Sequence, residues 1–320
     1  MTEDLHAPRH YEVRHATEYT YDDYVTTSYA RACLRPRETP QQTVVSNLIE
    51  VLPAADVLTE HRDVFGNWSH YIEVRTRHTE LKVNKTSVVT ITWPEVDLDR
   101  LNRWTVAEAV KQLRRAGGVD PVDHAMYSLP SALVEITPAV RRYASEILPA
   151  NRPYGEALVD LHHRIFTDFA YTKGATSTTT TLSELLESRA GVCQDFAHLG
   201  AGCLRAVGLP GRYVSGYIET APPPGKPKLA GSDATHAWCA AMVPGGGWVD
   251  LDPTNDHFAD SRYVVTAWGR DFRDVSPLKG VIFTESKSSR LRVAVDVTPL
   301  EASAVPTPLP GPSSREVVPG

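Results

Sequence analysis

Residues 189–217 combine a helical pattern and a strand pattern in one short run, RAGVCQDFAHLGAGCLRAVGLPGRYVSGY. Counted from Cys193, the residues at the spacing of one helix face are Phe196, Ala197, Gly200, Cys203, Leu204 and Val207. The sequence Gly-Leu-Pro-Gly then ends the helix, and the β-rich GRYVSGY follows. The run predicts a helix that begins near a cysteine and buries one face in a domain core.

The rest of the chain divides by pattern. Residues 1–95 alternate apolar and polar residues and are rich in β-branched and aromatic types, as in YEVRHATEYTY and TSVVTITW, which predicts an antiparallel β-sandwich or open barrel. Residues 96–152 predict a helical connector, with Thr105 and Thr137 able to cap two helices. Residues 153–300 place helices before antiparallel strands, which is typical of an α+β domain. The Pro- and Ser-rich residues 301–320 predict a disordered tail.

Charge and composition narrow the possible partners. A net charge of -6 and a pI near 6.1 leave no basic surface of the kind that nucleic acid requires. The chain has no apolar run long enough for a membrane helix or a signal peptide, so we expect no membrane partner and a cytoplasmic location. The four cysteines, Cys33, Cys193, Cys203 and Cys239, are then expected to be reduced thiols. The oligomeric state is left open.

Cys193 is a candidate nucleophile because of its place on the helix. The unpaired backbone amides and the positive end of the helix dipole favour a thiolate there, and the same amides can stabilise an oxyanion. The alternative is an ordinary buried thiol, which is the role expected for Cys203 in the middle of the helix. Asp195 is explained by the helix dipole, and His198 lies too far round the helix to be the base. His162 and His163 are expected at the surface.

The later strands offer partners for the thiol. In THAWCAAMV, strand alternation places His236 on the face opposite Cys239. In the adjoining GGGWVDLDPTN, alternation places both Asp250 and Asp252 on a single face, and the PGGG turn would bring that face beside His236. A cysteine, a histidine and a carboxylate form the catalytic set of thiol acyl-transfer enzymes. Alternation does not choose between the two aspartates, although Asp252 precedes a proline at the strand end.

A metal site is the competing interpretation. Cys193, His236 and Cys239 are acceptable zinc ligands, but alternation directs Cys239 away from His236 and no further cysteine pair has finger-like spacing. No glycine-rich loop has the spacing of a phosphate cradle. We therefore expect neither a metal nor a cofactor.

Three segments carry a family resemblance: GVCQDFAHLGAGCLRAVGLPGRYVSGY, ATHAWCAAMVPGGGWVDLDPTN and GRDFRDVSPLKGV. They closely resemble the core of bacterial transglutaminase-like proteins, in the papain-like cysteine-enzyme superfamily. LRPRETPQQTVVSNLIEVLP and DVFGNWSH resemble the N-terminal domain that accompanies this core. The resemblance implies an α+β fold in which the cysteine-bearing helix packs on an antiparallel sheet.

The resemblance also implies roles for individual residues. It places the nucleophile at Cys193, the base at His236 and the orienting acid at Asp252, so that Asp250 becomes a support or surface residue. The implied reaction is transfer of an acyl group from an amide, typically of a glutamine in a protein or peptide, to an amine or to water. The chain has no acidic loop with calcium-ligand spacing, so calcium activation is not expected. It also has no tryptophan close upstream of Cys193, which makes hydrolysis by an amidase or peptidase an alternative. A scaffold that keeps the fold without the chemistry is a further alternative.

Overall fold

The computed structural model describes residues 4–115, 119–220 and 235–306. The strands are β1 (Arg9–Ala32), β2 (Gln42–Leu52), β3 (Val57–Arg62), β4 (Trp68–Val74), β5 (His78–Ile91), β6 (Ala170–Tyr171), β7 (Ala190–Gly191), β8 (Gly211–Ile218), β9 (Thr235–Val243), β10 (Gly247–Asp252), β11 (His257–Phe258), β12 (Tyr263–Gly269), β13 (Leu278–Thr284) and β14 (Ser289–Pro299). The helices are α1 (Leu98–Leu101), α2 (Val106–Leu113), α3 (Pro121–Ser128), α4 (Pro138–Ile147), α5 (Tyr154–Asp168), α6 (Leu182–Ser188), α7 (Cys193–Ala206) and α8 (Phe272–Val275).

The first sheet is organised around the long strand β1. The first half of β1 pairs with β5 and β14, whereas its second half pairs with β4 and β13. All of these pairs are antiparallel, and β2 and β3 extend the sheet on either side. Both halves contribute to one apolar cluster, which includes Val25, Ile72 and Leu81. The sheet is therefore curled around its own core, and the two halves remain one sheet because they share β1.

The second sheet is antiparallel, in the order β11-β10-β9-β8-β12. One face carries α7, whose apolar side packs against Cys239 and Leu251. The close approach needs a glycine, because a Cβ atom at Gly200 would lie 2.5 Å from the sulfur of Cys239. The other face is covered by the first sheet, with Tyr11 and Trp238 in a shared cluster. The predicted α+β fold, with an antiparallel β domain before a helix-on-sheet core, is confirmed.

The helices around α7 begin where the sequence predicts. Thr105 and Thr137 accept hydrogen bonds from the backbone N–H groups of Glu108 and Val140, which caps α2 and α4. α5 follows Pro153 and buries an apolar stripe made of Ala157, Leu158, Leu161 and Ile165. α4, α5 and α6 surround α7 and share its apolar cluster. The nucleophile candidate thus stands at the start of the most enclosed helix.

The chain returns to the first sheet after the core. Strands β13 and β14, which span residues 278–299, both pair with β1 rather than with the second sheet. The division into residues 1–95, 96–152 and 153–300 stays a prediction. Of the predicted disordered tail, residues 302–304 form a short 3-10 turn, and residues 307–320 lie outside the described residues.

The sequence predicted no membrane helix and four reduced cysteines, and the structure bears on both predictions. None of the helices in the described ranges is long and apolar enough to cross a bilayer. Cys33, Cys193, Cys203 and Cys239 are free thiols. The cytoplasmic location stays a prediction.

Candidate active site

Cys193 is the first residue of α7 and is partly exposed. The backbone N–H of Val192, just before the helix, donates to the carboxylate of Asp195 at 2.8 Å. The hydroxyl of Thr176 donates to the same oxygen at 2.6 Å. Asp195 therefore fixes the start of the helix, which goes beyond the general dipole effect expected from the sequence. The thiol stands at the free end of the helix, beside unpaired amides.

His236 is the second residue of β9 and is almost fully buried. Its Nε2–H donates to Asp252 Oδ2 at 2.6 Å, and the Cys193 side chain lies within hydrogen-bonding reach of the imidazole. Because Nε2 is taken by Asp252, Nδ1 is the ring nitrogen left for the thiol. Burial lowers the pKa of His236, but the charges and hydrogen bonds of Asp252 and Cys193 together outweigh burial and raise that pKa.

Asp252 is fully buried at the end of β10. Oδ2 accepts hydrogen bonds from His236, from the hydroxyl of Tyr263 at 2.5 Å and from the side-chain amide of Asn255 at 2.7 Å. Oδ1 accepts from the backbone N–H groups of Thr254 and Asn255. Burial raises the pKa of this carboxyl, but His236 and the other donors hold it well below its usual range. Asp252 is therefore a carboxylate saturated with donors.

The structure thus brings Cys193, His236 and Asp252 together, as the sequence predicted. Their roles in catalysis stay a prediction. Asp250, the rival candidate, accepts a hydrogen bond from the indole N–H of Trp238 at 2.9 Å and lies 3.7 Å from Arg212. It is buried and lines a cleft of about 340 Å³, so it is a support residue and not a surface one.

The competing zinc ligands are not assembled. Cys239 lies on the opposite face of β9, where its thiol donates to the carbonyl oxygen of Leu251 at 3.7 Å. Within the described ranges no group of three or more histidine, cysteine or acidic side chains could hold a metal ion. Cys203 is fully buried in apolar surroundings, and burial raises the pKa of its thiol. His198 accepts a hydrogen bond from the backbone N–H of Phe272 and is no partner of Cys193.

Sequence reasoning missed three aromatic residues at the site. Trp238 stacks on His236 with ring centroids 6.0 Å apart, and Tyr263 lies at the same distance with its hydroxyl on Asp252. Tyr171 is half exposed, and the pKa of its phenol is raised by burial and by the nearby charges of Cys193 and Asp252. Alternation along β9 already places Trp238 on the same face as His236, although sequence reasoning gave the indole no role. Tyr171 reaches the site through the parallel β6–β7 pair, for which the sequence carries no local signal.

His162 was expected at the surface, and that prediction is wrong. The residue is 5% exposed, because its ring packs edge-on against Phe258 and its Nδ1 contacts Asp256 at 2.8 Å. His163 points outward and is exposed, as expected. The two histidines nevertheless share the same acidic partner.

The Tyr263→Phe variant tests the support of Asp252. We expect kcat to fall about tenfold and the free energy of unfolding to fall by about 1.5–3 kcal/mol, since a hydrogen bond to a buried charged acceptor is lost. Steady-state kinetics and urea unfolding measure both. Tyr154→Phe is the matched control, because its buried hydroxyl donates to Met242 away from the site. Equal loss of kcat in both variants would contradict a specific role for Tyr263.

Comparison with known proteins places the chain in a family. Residues 11–90 match the bacterial transglutaminase-like N-terminal region, and residues 141–253 match the transglutaminase-like superfamily. An uncharacterized protein of Mycobacterium tuberculosis is 42% identical over 309 residues, which cover 94% of this chain and 96% of that protein. A protein-glutamine gamma-glutamyltransferase of Pseudomonas aeruginosa is 33% identical over 121 residues, 37% of this chain and 18% of that protein.

The fold has a counterpart among solved structures. A Cytophaga hutchinsonii protein, provisionally assigned as a cysteine protease, has a crystal structure that matches with a TM-score of 0.71 at 20% sequence identity. The match covers 90% of this chain and 91% of that one. Family models thus match both parts of the chain, and one relative and one solved structure match it over most of its length. The chain belongs to the transglutaminase-like superfamily, with a bacterial transglutaminase-like N-terminal region preceding the core.

Proposed function

We propose that this protein is a cysteine enzyme that transfers an acyl group from an amide bond through a thioester intermediate. The observation that carries the proposal is the contact of the Cys193 thiol with a buried His236 whose other ring nitrogen is held by Asp252. A raised histidine pKa favours the imidazolium, which is the form that can protonate a leaving amine. The substrate class is a protein or peptide that offers a glutamine side chain or another amide.

In the acylation half of the reaction, Cys193, His236 and Asp252 each have a separate role. The Cys193 sulfur attacks the amide carbon, and the carbonyl oxygen becomes an oxyanion close to the backbone N–H groups at the start of α7. The C–N bond then breaks, and the leaving nitrogen takes the proton from His236. Ammonia or an amine departs, and the acyl group remains on sulfur as a thioester. Asp252 keeps the imidazole oriented and stabilises its charge.

The deacylation half depends on the acceptor. An amine or a water molecule attacks the thioester carbon and gives a proton to His236. The C–S bond then breaks, and Cys193 leaves as the thiolate beside the imidazolium. An amine yields an isopeptide or substituted amide, whereas water yields a carboxylic acid. Because Cys193 is partly exposed, water can reach the sulfur, which favours hydrolysis as the second candidate function.

One incubation separates these outcomes. The full chain is mixed with casein and a labelled primary amine, with a parallel sample that lacks the amine, and the products are analysed by mass spectrometry. We expect a Cys193-dependent mass change at glutamine residues: addition of the amine for transfer, or conversion to glutamate for hydrolysis. Cleavage of the casein backbone would identify a peptidase. Absence of all three changes, or the same changes with Cys193→Ala, would contradict the proposal.

A further inference from the structure

Two neighbouring histidines of α5 hold one aspartate that follows the candidate catalytic acid. His162 Nδ1 lies 2.8 Å from Asp256 Oδ1, and His163 Nδ1 lies 2.8 Å from Asp256 Oδ2. A carboxylate can only accept, so both ring nitrogens donate. Each oxygen of Asp256 therefore has its own donor from the same helix. We refer to the contacts of His162, Asp256 and His163 as the Asp256 clamp.

The two histidines face different surroundings. His162 is buried, its Nε2 has no partner, and burial lowers its pKa, so it donates as a neutral ring. His163 is exposed, and the hydrogen bond and charge of Asp256 raise its pKa. The pKa of Asp256 itself is raised by burial but held below its usual value by hydrogen bonds from both rings. The clamp therefore joins one carboxylate to one neutral and one more basic imidazole.

The backbone of Asp256 closes the turn that carries Asp252. Its φ angle is +59°, in the left-handed region that residues other than glycine seldom adopt. Its N–H donates to the carbonyl oxygen of Asp252 at 2.9 Å. The next residue, His257, pairs with Asp252 across β10 and β11. Residues 252–256 thus form a short turn, and its last member is fixed to α5.

The same turn supplies most of the donors to Asp252. The backbone N–H groups of Thr254 and Asn255 and the side-chain amide of Asn255 all donate to the Asp252 carboxylate. A shift of the turn would move these donors together with the carboxylate that holds His236. Small displacements of a catalytic group reduce rates severely, because proton transfer depends on short, aligned contacts.

We propose that the Asp256 clamp is a positioning device for the catalytic acid: it fixes the turn 252–256 against α5 so that Asp252 stays on His236. The inference rests on the proposed function of Cys193, His236 and Asp252. His162, His163 and Asp256 touch no reacting atom in this scheme, and they act through the turn. The clamp gives α5 a role beyond packing.

Two substitutions of Asp256 separate the effect of its side-chain contacts from the effect of its backbone conformation. Asp256→Gly keeps the left-handed conformation available and removes both acceptor oxygens, whereas Asp256→Asn keeps one acceptor oxygen and tolerates the same backbone. Asp168→Asn is the matched control, because it removes the negative charge that pairs with Arg164 and Arg189 at the far end of α5. All variants are compared with the unmodified full chain at one pH.

The readouts need no knowledge of the natural substrate. The first is the second-order rate of Cys193 alkylation by iodoacetamide, and the second is the proton NMR signal of the His236 ring N–H that is held by Asp252. We expect Asp256→Gly to slow alkylation about 10- to 100-fold and to broaden or shift that signal. Asp256→Asn should restore both in part, and Asp168→Asn should change neither. When an amide substrate is assayed, kcat of Asp256→Gly should fall while its KM stays within about twofold.

The inference is overturned if Asp256→Gly folds, loses stability and yet keeps the alkylation rate and the His236 signal. If Asp256→Gly does not fold, His163→Gln and Asp256→Asn are judged by the same readouts, and unchanged values overturn it. Failure of the proposed function looks different. In that case no amide is turned over by the unmodified chain, while the clamp variants still change alkylation and the His236 signal.

Discussion

Replacing Cys193 with alanine should abolish turnover, with a loss of at least about 10³-fold, because the proposed thioester forms on the Cys193 sulfur. The fold should be retained, since the side chain is small, partly exposed and at a helix start. Turnover of the casein substrate measures the first expectation, and circular dichroism with urea unfolding measures the second. Full activity in this variant would refute a thiol mechanism at position 193.

The controls for this variant must show that the reactivity of the Cys193 thiol comes from His236 and not only from its exposure to solvent. Cys203 is fully buried and would react slowly with any reagent, so its labelling rate says little about Cys193. Cys203→Ala should leave turnover unchanged, and His236→Ala should slow the alkylation of Cys193, because the imidazole that contacts the thiol is lost. If His236→Ala leaves the alkylation rate unchanged, a scaffold without chemistry becomes the better account.

Replacing Asp252 with asparagine should lower kcat by about 10²- to 10⁴-fold with little effect on KM. Asparagine cannot accept from every donor that meets the carboxylate, and the negative charge beside His236 is lost. The pKa of His236 should fall, and an NMR titration of the imidazole measures the change. Asp250→Asn is the matched control on the same strand. A larger loss of kcat with Asp250→Asn would reverse the assignment of the acid.

The same substitution has a pH signature in stability. Asp252 has a depressed pKa, so its contribution is present above its unfolded value near 3.8 and is lost as pH falls through the folded value. His236 has a raised pKa, so its contribution is present below 6.5 and is lost as pH rises through about 10. The difference in unfolding free energy between the unmodified chain and Asp252→Asn should therefore be largest between about pH 4 and 6.5. A difference that grows toward pH 10 would contradict the ion pair.

Local patterns were sufficient for part of this site. The period of the helix placed Cys193 at its start, and strand alternation placed His236 on the face opposite Cys239. Alternation could not choose between Asp250 and Asp252, because residues two apart share a face. The strand register pairs Asp250 with Ala240 and so places Asp252 closer to His236, which favours Asp252. Before the structure, Asp252 was favoured by its position before a proline at the strand end and by the family resemblance.

Contacts between distant parts of the chain could not be predicted. Asp256 meets His162 across 94 positions of sequence, and no local pattern marks either residue. A buried histidine needs a partner for at least one ring nitrogen, and the partner here comes from a turn in another part of the fold. The same holds for the curled first sheet. Its two final strands come from residues 278–299, which the sequence grouped with the core.

The return of β13 and β14 to β1 has a consequence for biosynthesis. A ribosome completes residues 1–95 long before it makes the last two partners of β1. Until then the backbone N–H and C=O groups along one side of β1 are unpaired, and such a strand is a template for aggregation. The nascent β domain would therefore finish folding only after the transglutaminase-like core has emerged, and a fragment that ends near residue 95 would be prone to self-association.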